Sequence, residues 1–179
     1  MALYNPECRR CDLWEHAHTV CMPASVGRRA MIVGEAPGQQ EDEQGIPFVG
    51  RSGQLLTYAI AESGFTRADV TITNIVKCRP QGNATPTKVQ MDACSLYLYK
   101  EIEEYNPFFI LCLGNIAAQQ IMKRSGVSSF HGEWYASRDR MYMATYHPSY
   151  VLRQKHLQQL FFADVANFFV EAYADEPIL

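Results

Sequence analysis

The sequence predicts an α/β domain: a three-layer αβα sandwich around a short, mainly parallel four-stranded sheet. Three observations carry this. Short, strongly apolar or β-branched runs recur at 29–34, 70–76 and 108–113. Helical patterns separate them, which implies crossover connections and a sheet covered on both faces. The chain has no internal repeat, low-complexity tract or linker, and its 179 residues are one domain's worth, expected as a single unit over 1–179.

Taken in order, Arg29-Ala30-Met31-Ile32-Val33-Gly34 reads as a buried strand ending at glycine. Leu55, Leu56, Ala59 and Ile60 fall at helical spacing within 53–63, and Gly64 stops that helix. Residues 70–76 are largely β-branched and predict the second strand. Thr87, after Pro86, opens a helix patterned by Val89, Cys94, Leu96, Leu98 and Ile102, closing before Asn106-Pro107. Residues 108–113 form a third strand, and Gly114-Asn115 leads into a helix through Met122. A strand pair follows at 134–136 and 141–146, bent back through a polar turn at 137–140. After His147-Pro148-Ser149 comes a short helical turn, then an amphipathic helix at 155–172 with Leu157, Leu160, Phe161, Val165, Phe168 and Phe169 inward.

Composition narrows the function. Lys and Arg total 16 against 19 Asp and Glu, a formal charge of −3, which argues against nonspecific coating of nucleic acid. The mean hides a polarity: residues 123–156 hold six basic side chains (Lys123, Arg124, Arg138, Arg140, Arg153, Lys155) against two acidic ones (Glu133, Asp139). No apolar run is long enough for a membrane span, and charged residues within 1–11 with no apolar stretch behind them argue against a signal peptide. A soluble, cytoplasmic protein is the expectation.

Six cysteines in such a chain do not imply disulfides. Cys112, inside an apolar strand, reads as a small hydrophobe, and Cys21 as an ordinary thiol. Cys8 and Cys11 form a CxxC, and Cys78 and Cys94 form a wider pair with fifteen residues between them. Four cysteines suit zinc or an iron–sulfur cluster; the wide second pair suits the bulkier cubane better.

Ligands of such sheets bind beyond the carboxyl ends of the strands. There the chain places Gly34-Glu35-Ala36-Pro37-Gly38, Asn74, Lys77-Cys78-Arg79-Pro80, Gly114-Asn115 and His147-Pro148-Ser149. The first segment lacks the Lys-Ser/Thr of a phosphate loop and the three-glycine rhythm of a dinucleotide site. It reads instead as a tight turn pointing backbone N–H groups and one carboxylate into a cleft. Phe48, on a loop framed by Gly45 and Gly50, is either a core plug or a stacking platform.

These segments closely resemble the family 4 uracil-DNA glycosylases. The resemblance rests on Gly34-Glu35-Ala36-Pro37-Gly38-Gln39-Gln40-Glu41-Asp42, the stretch from Gly45-Ile46-Pro47-Phe48 to Leu55-Leu56, Thr73-Asn74-Ile75-Val76-Lys77-Cys78-Arg79-Pro80, and His147-Pro148-Ser149-Tyr150-Val151-Leu152-Arg153. It runs from Cys8 to the last helix, in order and without large gaps. Two departures stand out: the short, irregular stretch 13–27, and Ser52 where the family more often has Ala.

The resemblance implies a monofunctional hydrolase that removes uracil from single- or double-stranded DNA and leaves an abasic site, with Cys8, Cys11, Cys78 and Cys94 holding a [4Fe–4S] cluster. A monomer associated with the nucleoid is expected. Asn74 would read the uracil edge, Phe48 would stack on the ring, and the backbone of Gly34, Glu35 and Ala36 would touch its other side. His147 would donate to the departing base, and Glu35, with Glu41 as runner-up, would handle the water. First-family enzymes carry Asp where Ala36 stands, so water activation must differ here. Ser149 and Arg153 would meet phosphate, while Tyr150, Val151 and Leu152 would wedge into the duplex. A covalently bonding relative has a basic, histidine-bearing insert before Thr85-Pro86; none is present, so ordinary turnover is expected. The alternatives are a glycosylase for another deaminated or modified base, a non-cleaving DNA-binding or replication accessory protein, and an iron–sulfur electron carrier.

Overall fold

The computed structural model describes residues 5–24, 27 and 29–174. The outer parts of the expected 1–179 domain lie outside the described residues, as do the first four residues of the stretch read for a signal peptide and parts of the irregular 13–27 stretch. Five strands, β1 (Ala30–Gly34), β2 (Thr71–Asn74), β3 (Phe109–Leu113), β4 (Trp134–Ser137) and β5 (Arg140–Thr145), form one sheet in the order β2-β1-β3-β5-β4. The first four in that order pair in parallel, and β4 pairs antiparallel with β5. The expected count of four is therefore corrected to five, because the 134–136 run joins the sheet as its antiparallel edge. At the opposite edge an antiparallel bridge from Ala24 to Ile72 covers part of β2.

Alternation along the strands divides the core into two layers. Met31, Val33, Ile110, Cys112 and Ala144 face one side, where they pack with residues of α3 (Lys88–Tyr105) and α4 (Gly114–Ile121). Ala30, Ile32, Leu111, Leu113 and Met143 face the other, against α2 (Arg51–Glu62), α5 (Pro148–Arg153) and α6 (Gln158–Ala172). Cys112 is fully buried, as its hydrophobic reading requires.

The helices depart from the sequence pattern where single apolar residues mislead. Val89 and Leu96 of α3 and Leu160 of α6 are exposed. The 155–172 segment splits into a 3-10 turn at Lys155–Leu157 and α6, which rotates Leu160 out of the apolar face that Phe161, Val165, Phe168 and Phe169 form. Helix α1 (Gln39–Gln44), absent from the periodicity, follows the turn after β1. The second strand is shorter than 70–76 because the chain bends after Asn74, although the Ile75 N–H still donates to the Gly34 carbonyl at 2.9 Å. That bend turns Lys77 back under the strand end.

Candidate active site and cysteine cradle

The carboxyl ends of β1, β2 and β5 open onto a cavity of about 400 Å³ whose wall includes Glu35, Ala36, Phe48, Asn74, His147 and Ser149. Gly34 lies beneath it. A Cβ there would sit 2.4 Å from Phe48 Cζ and 2.5 Å from Asn74 Oδ1, so only glycine lets ring and amide close over the strand end. Every residue expected to touch the base is thus brought together.

Phe48 holds a left-handed backbone, φ 55°. Two contacts that sequence reading missed support it. Arg67 donates from Nη1 to the Phe48 carbonyl at 2.9 Å and from Nη2 to the Pro47 carbonyl at 2.8 Å. Gly53 is the other, since a Cβ there would collide with the Phe48 carbonyl at 1.9 Å. The Phe48 ring lies 5.9 Å from the His147 ring, tilted by 37°.

Asn74 is buried, and its Oδ1 is one of two buried side-chain polar atoms without a hydrogen-bond partner among the described residues. Leaving a buried amide oxygen unpaired costs about 1–3 kcal/mol. Asn74 lines the cavity, where a ligand's N–H or a bound water can complete this acceptor.

His147 caps α5. The Ser149 N–H donates to Nδ1 at 3.2 Å, and the Ser149 hydroxyl lies 2.8 Å from the same nitrogen. With Nδ1 accepting, the ring proton resides on Nε2. Burial, and then the charge of Arg153, push the imidazole down to about 4, so it is neutral near pH 7. On the far side a Cβ at Gly114 would lie 2.9 Å from His147 Cβ, so the ring's anchor depends on glycine there too.

Two carboxylates follow β1, Glu35 in the turn and Glu41 in α1, and they are used differently. Glu41 Oε2 accepts from the Gly38 N–H at 3.1 Å, and Oε1 accepts from Val49 and Gly50 N–H at 2.9 and 2.7 Å. It is therefore engaged in holding the loop. Glu35 is half-buried on the cavity wall; burial raises its carboxyl above the usual 4.5, opposed by a hydrogen bond from the Thr85 side chain.

The short helical turn expected after His147-Pro148-Ser149 is the helix α5, which begins at Pro148 with His147 as its cap. Val151 is 1% exposed and is corrected from wedge to core contact. Tyr150 is exposed and Leu152 half-buried, while the exposed Arg153 guanidinium stands 5.9 Å from the Tyr150 ring centre.

A second, apolar hollow is lined by Cys8, Cys11, Cys78 and Cys94 together with Leu13, Val20 and Tyr97. Burial, then repulsion from the neighbouring thiols Cys94, Cys11 and Cys8, pushes Cys78 up to about 12. Burial likewise pushes Cys94 up to about 11, although the Lys77 charge and the Lys77 N–H, 3.3 Å from Sγ, oppose it. Among the described residues no three His, Cys, Asp or Glu side chains form a group that could hold one metal ion. The thiols instead ring the hollow. Cys21 stands apart from it, donating to the Glu41 carbonyl at 3.1 Å. Among the described residues no helix is long and apolar enough to cross a membrane.

Comparison with known proteins agrees with this geometry. Residues 24–175 match the family model described as the uracil DNA glycosylase superfamily. A type-4 uracil-DNA glycosylase of Pyrobaculum aerophilum is 41% identical over 172 residues, covering 90% of this chain and 88% of the relative. Type-4 uracil-DNA glycosylases of Archaeoglobus fulgidus and Thermotoga maritima are each 39% identical, over 88% and 83% of this chain and 84% and 80% of theirs. The chain belongs to the uracil DNA glycosylase superfamily and, within it, to the type-4 uracil-DNA glycosylases.

Proposed function

We propose that this chain is a monofunctional DNA glycosylase that hydrolyses the N-glycosidic bond of uracil in DNA, leaving an abasic site for base excision repair. The observation that carries the reading is the unpartnered Asn74 Oδ1 on the cavity wall. A base inside a duplex is unreachable, so it must be flipped into such a pocket and read on its Watson–Crick edge. Asn74 Oδ1 accepts from uracil N3–H, and Nδ2 donates to O4. Cytosine presents the reverse pattern and leaves Oδ1 unpaired. Phe48 stacks on the ring, and the backbone of Gly34, Glu35 and Ala36 borders it.

Cleavage puts negative charge on the leaving base and positive charge on the sugar. The neutral His147 donates from Nε2–H to uracil O2 as that charge grows. Ser149 keeps the proton on the correct nitrogen by occupying Nδ1. Glu35 orients and deprotonates the attacking water and faces the cationic sugar. Its raised pKa matches a base that must give up its proton again. Glu41 plays no part in the water chemistry, because its oxygens hold the loop.

Outside the pocket, Leu152 and Tyr150 fill the vacated stack, and Arg153 and Ser149 approach phosphate. Cys8, Cys11, Cys78 and Cys94 would hold a [4Fe–4S] cluster; the all-thiol set, the apolar hollow and the N–H on Cys94 support that assignment. When bound, the cluster supplies a cross-link between the N-terminal segment, the loop after β2 and α3. On this reading the enzyme works as a single-domain monomer wherever the cell keeps its DNA.

The test is incubation of the cluster-loaded protein with a single-stranded oligonucleotide holding one uracil, followed by alkali. Strand scission at the uracil position is expected. An intact strand with folded, loaded protein would overturn the proposal.

A further inference from the structure

Lys77 is among the largest fully buried side chains of the described residues, 1% exposed, and it lies directly under the base-reading end of β2. An ammonium has three hydrogens to place. Lys77 Nζ gives them to the Asn74 carbonyl at 2.7 Å, to Thr73 Oγ1 at 2.7 Å and to the Glu101 carboxylate, whose Oε1 and Oε2 stand 2.7 and 2.8 Å away. The Thr73 hydroxyl in turn donates to Glu101 Oε2 at 2.8 Å. Glu101 is 0% exposed. One buried charge therefore grips the last two residues of β2.

The main chain of Lys77 is equally committed. Its N–H points at Cys94 Sγ, its carbonyl accepts from the Cys21 N–H at 2.8 Å, and Cys78 follows it. Glu101 and Cys94 sit two turns apart on α3, on one face. A single residue thus joins the peptide that carries the base-reading amide to the wall of the cysteine cradle.

Stability alone does not account for such a pair. Exchanging a buried ion pair for apolar residues of similar size is often neutral or stabilising, because both charges must be desolvated. The Asn74 side-chain oxygen, meanwhile, has no partner of its own, so its direction depends on how firmly the Asn74 peptide is held. We infer that Lys77 and Glu101 are positioning residues for base recognition: they fix the Asn74 carbonyl so that its side-chain amide meets the Watson–Crick edge of the flipped base, and they couple that amide mechanically to the cysteine cradle.

This rests on the uracil reading and is tested so that the two can fail separately. The double variant Lys77→Met/Glu101→Leu removes both charges and roughly keeps volume; Thr73→Val removes one leg of the network and keeps its shape. Affinity for free uracil is measured by calorimetry on cluster-loaded protein, beside thermal unfolding and the visible absorbance. The double variant is expected to unfold within about 5 °C of the parent and keep its absorbance, yet bind uracil at least ~10-fold more weakly. Thr73→Val is expected to lose about threefold. Uracil affinity within twofold of the parent in the double variant would overturn the role of the pair; should that variant not fold, an unchanged Thr73→Val would do so. A parent that neither binds nor excises uracil would overturn the uracil reading instead.

Discussion

In the cavity, the group left without a partner is an acceptor, Asn74 Oδ1, on a wall that also carries an aromatic ring and a neutral imidazole. In the cradle, four thiols stand around an apolar hollow, where burial and repulsion between thiols make the thiolate form of Cys78 and Cys94 costly. Both regions gather polar atoms around a hollow, but the chemistry that each suits is opposite. A neutral planar base with an N–H suits the first. A positively charged centre, able to hold several thiolates at once, suits the second. The two meet at Lys77, whose charge serves one and whose peptide N–H serves the other. In each region the chemistry of the groups that line the hollow tells what belongs in it.

The sharpest way to break the cavity half of this comparison is Glu35→Gln. About 10³-fold loss in kcat with little change in KM is expected if the carboxylate handles water; a rate within threefold of the parent would assign the water to electrostatics alone. The same variant settles the acid limb of the pH profile. If Glu35 acts as the carboxylate, burial, which raises its pKa above 4.5, makes the rate fall as pH drops through that raised value. His147, pushed down to about 4, stays neutral through that window and adds loss only below it. The limb should therefore flatten in Glu35→Gln.

The cradle half is broken by removing its ligands. Cys78→Ser, or oxidative loss of the cluster followed by chelation, should abolish any broad absorbance near 400 nm and lower the unfolding temperature by about 10 °C or more. An unchanged unfolding temperature would show that the cradle is ornamental to the fold. The smallest expected effect lies at the rim: Leu152→Ala should slow excision a few-fold on duplex DNA, where the base must be extruded, and leave single-stranded substrate unaffected.

Much of this was legible in the chain. The strands betrayed themselves as apolar runs, and the parallel order followed from their separation by helices, which sent attention to the strand ends where Glu35, Asn74 and His147 do converge. What escaped was long-range and polar. Nothing near Lys77 in sequence announces Glu101, twenty-four residues on, and Arg67 reaches the Phe48 carbonyl from a separate 3-10 turn. Glu41 looked as available as Glu35, since only the fold brings the Val49 and Gly50 N–H groups onto it. Val151 and Leu160 misled in the opposite direction: each was judged by hydrophobicity, and the local helix geometry turned the first inward and the second outward.

The central claim is that the Asn74 amide selects the base. It is tested most directly by single-turnover excision from otherwise identical single-stranded oligonucleotides carrying uracil or cytosine. The geometry predicts uracil at least ~100-fold faster than cytosine, because the N3 and N4–H2 of cytosine oppose both atoms of the amide. Cytosine released as fast as uracil would contradict it.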